Sequence, residues 1–351
     1  MTTQTLQLNQ ALRAYKVPGT VVGTVTGPRT ISYHVEVAPG FRVTKFMRLS
    51  LDIAIALSAP SVRIYPISTA GVMAVDVPRS DPQIVTFADC ALTTEFHEDR
   101  HLPVMFGLDT QGEPVVGDLT EMPHLLLAGS TASGKSVALN SIICGLVSKV
   151  GPKRMKLLLL DPKGVELTNY TDLAHAVGHA IAPMDALKAL QGAEQTMEQR
   201  YVRLTQSGYR NVIDYNEHVD DEHKFPFLVI VVDELADLIL SDMGGAIETS
   251  LIRLAQKARA SGIHIIAATQ RPVVKVVTGL IKVNFPTRLA LRVPSQIDSK
   301  TILDQPGAER LLGNGDALLL TPGKELLRVQ GPYTSDAVIA EITAMNCAQP
   351  A

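Results

Sequence analysis

The chain has 351 residues, 46% of them apolar and 19% charged, with a formal net charge of −3. That length allows two or more domains and a sizeable core, and the balance is that of an ordinary globular protein. No apolar run approaches the ~20 residues of a membrane helix, and the chain is no polycation, so any DNA contact must rest on positive charge gathered locally.

The opening MTTQTLQLNQALRAYKVPG lacks a basic flank followed by an apolar core, so no signal peptide is visible, and residues 1–17 read as a tail. Residues 18 to about 78 read as a small α+β unit. ISYHVEV (31–37) alternates like a half-buried strand and ends at Pro39-Gly40. Phe46, Leu49, Ile53 and Leu57 then recur at spacings of three and four, a helical stripe, before SVRIYPI and GVMAVDV suggest two short strands. DPQIVTFADCALTTEFHEDRHLPVMFGLD is a less regular connector, and the small domain is placed at 18–115.

From His124 the texture changes. HLLLA, MKLLLLD, FLVIVVD, IHIIAAT and RLALRV are nearly unbroken apolar strands separated by helical stretches. Strands without polar alternation are covered on both faces, which predicts an α/β fold built on a mainly parallel sheet. ALLL, a TPGKE turn and LLRVQG then form a terminal hairpin, and Ser335 or Asp336 caps a last helix, DAVIAEITAM. This second domain is placed at 116–345, with a tail at 346–351. Cys90, Cys144 and Cys347 are odd in number, widely spaced and without a metal-ligand pattern, as for reduced thiols in a cytosolic protein.

Gly129-Ser130-Thr131-Ala132-Ser133-Gly134-Lys135-Ser136 fits G-x-x-x-x-G-K-[ST] between an apolar strand and a helical pattern, the context that motif needs. Backbone N–H groups and a helix N-terminus would wrap the phosphates of ATP. Lys135 would reach the β- and γ-phosphates, and the Ser136 hydroxyl would ligate Mg²⁺. Asp233, closing the strand FLVIVVD, is positioned to join the Mg²⁺ shell. Its neighbour Glu234 is placed to polarise an attacking water. Gln270 ends the strand IHIIAAT on the edge where a parallel sheet binds ligands, so it is a candidate sensor of the γ-phosphate and equally a polar residue beginning a loop.

The chain also resembles the motor region of the FtsK/SpoIIIE DNA translocases. The likeness runs through MPHLLLAGSTASGKSVALN, LLLLDPKGVELTNY, VIVVDELADL, RLAQKARASGIHIIAATQRP, VTGLIKVNFPTR and SQIDSKTILDQPGAERLLGNGDALLL, most of residues 122 to 320. GPRTISYHVEVAPGFRVTKFMRLSLDIAIAL resembles, more weakly, the small α domain that precedes the motor in that family. The resemblance implies a RecA-like P-loop ATPase domain that assembles as a hexameric ring around double-stranded DNA, with sites completed between subunits. It assigns Arg259 as an arginine that completes a neighbour's ATP site in trans. It also assigns Arg271, Lys282 and Lys300 as contacts to DNA phosphates.

The chain departs from the family pattern at three places. Ala132 stands where glycine is usual, Gln296 where a lysine is common, and the segment EHVDDEHK is short. The chain has no room for the family's membrane region or its winged-helix domain, so the expectation is a cytoplasmic motor without a membrane partner, carried by a phage, plasmid or other mobile element. The competing readings are an FtsK-like ATPase that powers protein export, and a scaffold with a degenerate site; intact Lys135, Ser136, Asp233 and Glu234 argue against the second.

Overall fold

The computed structural model describes residues 3–67 and 69–347. Residues read above as a tail form helix α1 (Thr3–Ala14). Leu8, Ala11 and Leu12 lie one helical turn apart and are buried, so this segment is core rather than tail. Strands β1 (Gly19–Thr26) and β2 (Thr30–Val37) pair antiparallel. The stripe from Phe46 to Leu57 is helical but broken into α2 (Val43–Arg48) and α3 (Ser50–Ala56) at Leu49. Strands β3 (Arg63–Pro66) and β4 (Val72–Pro78) complete a four-stranded sheet in the order β1-β2-β4-β3. Leu8, Leu12, Val35, Phe46, Ile53 and Val75 close the small core between that sheet and its helices.

The connector is more regular than its sequence suggests. It holds two short helices, α4 (Phe87–Ala91) and α5 (Thr94–His97), each capped by a threonine, Thr86 and Thr93. Strands β5 (Pro103–Asp109) and β6 (Pro114–Asp118) follow, and both join the large sheet, although the boundary placed at residue 115 puts β5 in the small domain and cuts through β6.

The remaining elements alternate: β7 (His124–Ala128), α6 (Lys135–Lys149), β8 (Met155–Leu160), β9 (Ala176–Ala180), α7 (Pro183–Ser207), α8 (Val212–Glu217), β10 (Phe227–Val232), α9 (Leu235–Ile239), α10 (Gly244–Lys257), β11 (Ile263–Thr269), α11 (Gly279–Asn284), β12 (Thr287–Leu291) and α12 (Gln296–Leu303). The hairpin β13 (Asp316–Leu320) and β14 (Leu327–Gln330) precedes the last helix, α13 (Asp336–Met345), which Ser335 caps. The last four residues of the tail placed at 346–351 lie outside the described residues.

The ten-stranded sheet runs β6-β5-β14-β13-β12-β7-β11-β10-β8-β9. From β12 to β9 the pairings are parallel, and the other side is antiparallel. Both faces are covered, as the unbroken apolar runs require. Leu125, Leu127, Leu157, Leu159, Val229 and Val231 enter the core beneath α6. Leu126, Leu158, Leu160, Ile230 and Val232 enter the core beneath α7 and α10. No described helix is long and apolar enough to cross a membrane.

Candidate functional site

The site forms where the parallel strands end. β7 is buried at all five residues and sits between β11 and β12, so the loop after it is tied to both neighbours. Gly129 N–H donates to Thr269 O at 3.2 Å, and Ser130 N–H donates to Arg292 O at 2.9 Å. Gly134 caps α6 at φ 101°, and a Cβ there would stand 2.6 Å from Gly315 N, so only glycine fits. Gly315 N–H in turn donates to Ser133 O at 3.0 Å, which brings the GNGD turn against the loop. Ala132, on the exposed side of the loop, holds φ at 61°, a left-handed conformation.

The charged groups meet beneath this loop. Lys135 Nζ lies 2.9 Å from Asp233 Oδ1 and 2.7 Å from Asp233 O, with both side chains almost wholly buried. Burial pushes the Asp233 carboxyl above its ordinary pKa, while the Lys135 ammonium pulls the other way. Asp233 Oδ2 is buried without a hydrogen-bond partner. A buried carboxylate oxygen left unmatched, together with the hydroxyl of Ser136, the residue after Lys135, is a donor set that suits a hard cation such as Mg²⁺.

Glu234 opens α9, one residue on, and is 1% exposed. Its carboxylate accepts from the Thr269 hydroxyl at 2.6 Å, from Gln270 N–H at 3.0 Å and from Ala236 N–H at 3.3 Å, and Lys163 Nζ stands 3.6 Å away. Because β10 and β11 are adjacent parallel strands, Glu234 and Gln270 leave the sheet side by side. Gln270 Oε1 also accepts from the Thr131 hydroxyl at 3.1 Å. The fold therefore gathers Lys135, Ser136, Asp233, Glu234 and Gln270 from three strand ends.

Sequence reasoning passed over the individual residues of DPKGVEL. Ser136 Oγ donates to Glu166 Oε1 at 2.8 Å. Asp161 is fully buried and accepts from the N–H groups of Lys163, Gly164 and Leu167. The available signal was the acid closing MKLLLLD, which places this segment at the same sheet edge as the loop.

Arg259 lies elsewhere. It follows α10 at the entrance to β11, where its Nε donates to Thr120 O at 3.3 Å. It lines a 930 Å³ cleft with Tyr201, Arg210, Asp214, Lys257 and His264. The full length of β11, roughly 20 Å, separates that end from the edge carrying Glu234 and Gln270. Arg271 and Lys300 are exposed and form no salt bridge among the described residues. Lys282 is instead held by Asp304 at 2.5 Å, a carboxylate shared with Arg288 at 2.6 Å.

The FtsK/SpoIIIE family profile matches residues 87–274, and the FtsK alpha domain profile matches residues 1–79. "DNA translocase FtsK" of Helicobacter pylori strain J99 is 40% identical over 344 residues, covering 96% of this chain and 41% of its own length. "DNA translocase SftA" of Bacillus subtilis strain 168 is 42% identical over 345 residues, covering 96% and 36%. The chain thus spans about two fifths of these relatives. Among solved structures, the pCW3 conjugation coupling protein TcpA, in monomer form with ATPgS, aligns over 98% of this chain and 99% of its own at TM-score 0.69 and 22% identity. The cytoplasmic domain of the Thermomonospora curvata type VII secretion ATPase EccC aligns over 76% and 35% at TM-score 0.65 and 22% identity. These two likenesses speak to the fold.

Proposed function

The chain belongs to the FtsK/SpoIIIE family, and from that premise we propose that it hydrolyses ATP to translocate double-stranded DNA. The observation that carries the proposal is the convergence of Lys135, Ser136, Asp233, Glu234 and Gln270 at one sheet edge, beneath a loop that ends at Gly134, the N-cap of α6. Lys135 meets the β- and γ-phosphates, exchanging part of its contact with Asp233 for them. Ser136 and Asp233 would hold Mg²⁺, which would supply charge neutralisation on the phosphate oxygens. Glu234, oriented by Thr269 and Gln270 N–H, accepts the proton of the attacking water. Gln270 reads the γ-phosphate through its link to Thr131.

Arg259 completes the site of a neighbouring subunit. Its position at the opposite end of β11 keeps it from its own loop, which supports a role for its guanidinium at the γ-phosphate of a neighbouring subunit. Repeated head to tail, that contact closes into a ring, which we take to be a hexamer. Arg271 and Lys300 offer phosphate contacts to DNA in its channel. Lys282 joins them only by leaving Asp304. The domains divide between β4 and α4, with β5 and β6 part of the motor. We place its action in the cytoplasm.

Hydrolysis by the purified protein should rise many-fold when long duplex DNA is added and decline as salt weakens phosphate contacts. Stimulation by polypeptide substrates and not by duplex DNA would favour the export reading and sink this one. Lys135→Ala should abolish hydrolysis in either case.

A further inference from the structure

A hydroxyl that lends a lone pair to a cation must give its hydrogen to some other acceptor. For Ser136 that acceptor is Glu166 Oε1, at 2.8 Å. The carboxylate is not a mobile surface group. It sits in a turn that Asp161 grips through three backbone N–H groups, at 3.3, 3.0 and 2.9 Å. Gly164 in that turn adopts φ 66°, and Leu167 and Tyr170 anchor its far side in the core. Asp233, which follows β10 at the same sheet edge and pairs with the neighbouring Lys135, keeps its buried Oδ2 without a hydrogen-bond partner.

The geometry points to Glu166 as a positioning residue for the metal: by accepting the Ser136 proton it turns the serine lone pair toward the cation that Asp233 also faces. This rests on the nucleotide-site reading above. Acceptors behind a metal ligand fix its orientation, and losing one typically weakens metal binding about 10–100-fold. The negative charge of Glu166 adds to the attraction for a divalent ion without touching it. A carboxylate that merely occupied Ser136 in the absence of nucleotide would act in the opposite sense, since the cation would have to displace it.

The test follows binding of a fluorescent ADP analogue to the full chain, first in EDTA and then across a Mg²⁺ titration. Wild-type protein should bind weakly in EDTA and tighten as Mg²⁺ is added. In Glu166→Ala the Mg²⁺ concentration for half-maximal tightening should rise about 10-fold or more, with affinity in EDTA unchanged. Glu166→Gln, which keeps the shape and an acceptor oxygen, should fall between the two and provides a folded comparison. In a Ser136→Ala background, Glu166→Ala should cost less than it does alone, because the part that acts through the serine is already gone and only the charge of Glu166 remains to lose.

Three results overturn the inference: an unaltered Mg²⁺ requirement in Glu166→Ala, an equal loss of affinity with and without Mg²⁺, or a lowered Mg²⁺ requirement. Wild-type protein that binds no nucleotide under either condition overturns the nucleotide site itself, and this inference with it.

Discussion

Ala132 holds a left-handed backbone in a loop whose companion Gly134 does the same without a side chain. Such a conformation costs a residue with a Cβ roughly 1 kcal/mol, partly offset because alanine has less backbone entropy to lose on folding than glycine. Ala132→Gly should therefore leave thermal stability unchanged or raise it by up to ~1 kcal/mol, while the β-branched Ala132→Val should lower it. A clear loss on Ala132→Gly would show that the methyl group makes contacts that outweigh the strain. The loop itself was legible because its chemistry is local, eight consecutive residues between a strand and a helix. Glu166 was not, since its value comes from a contact with Ser136, thirty positions away in the chain, that only the sheet creates. The pairing of Lys282 with Asp304 was hidden for the same reason, since the two stand twenty-two positions apart.

At the scale of elements, β7 and β11 carry a buried histidine each at their entrances. His124 Nδ1 accepts from Ile265 N–H at 3.1 Å, and the His264 ring lies 6.4 Å from it. Burial pushes His124 down to about 3, with His264 adding to the effect, and burial pushes His264 down to about 4. Both folded values lie below the unfolded value of about 6.5. The stability they protect is thus complete above about pH 6.5 and lost as pH falls toward 4, because the unfolded chain takes up protons first. At pH 5 each costs roughly 2 kcal/mol, so the urea midpoint should drop between pH 7 and pH 5, and His264→Gln should flatten that drop. A midpoint independent of pH across this range would refute the buried neutral pair. The strands that bear these histidines were readable as unbroken apolar runs. β9, whose AVGHA is only partly buried, and β5, embedded in mixed sequence, offered no such run, and α1 was missed because its short apolar stripe lies among polar residues.

Across the whole molecule, the two sheets are joined by a charged knot. Arg328 on β14 grips Asp316 of β13 through two bonds, at 2.9 and 2.7 Å, and reaches Asp76 of β4 at 3.4 Å. Burial alone would lower the Arg328 pKa, but Asp316 and Asp76 raise it. Arg63 packs over the Tyr65 ring beside it, and burial together with Asp76 pushes the Tyr65 hydroxyl up to about 12. Arg328→Met would strand two buried carboxylates, and breaking a buried pair from one side costs about 3–5 kcal/mol. Chemical unfolding should register that loss, and a change under 1 kcal/mol would show that the knot contributes little. On the same scale, Arg259→Ala mixed with Glu234→Gln should recover part of the hydrolysis that each lacks alone. No recovery at any mixing ratio would leave Arg259 a residue of its own subunit.

In the arrangement proposed above, with Glu234 and Arg259 at opposite ends of β11, each subunit would carry one half-site facing each way. An open arc of subunits then always has one complete site fewer than it has members, whereas closure completes the last one without adding protein. Specific activity should therefore climb with concentration and step up at closure, so that the count of working sites itself reports whether the assembly is open or sealed.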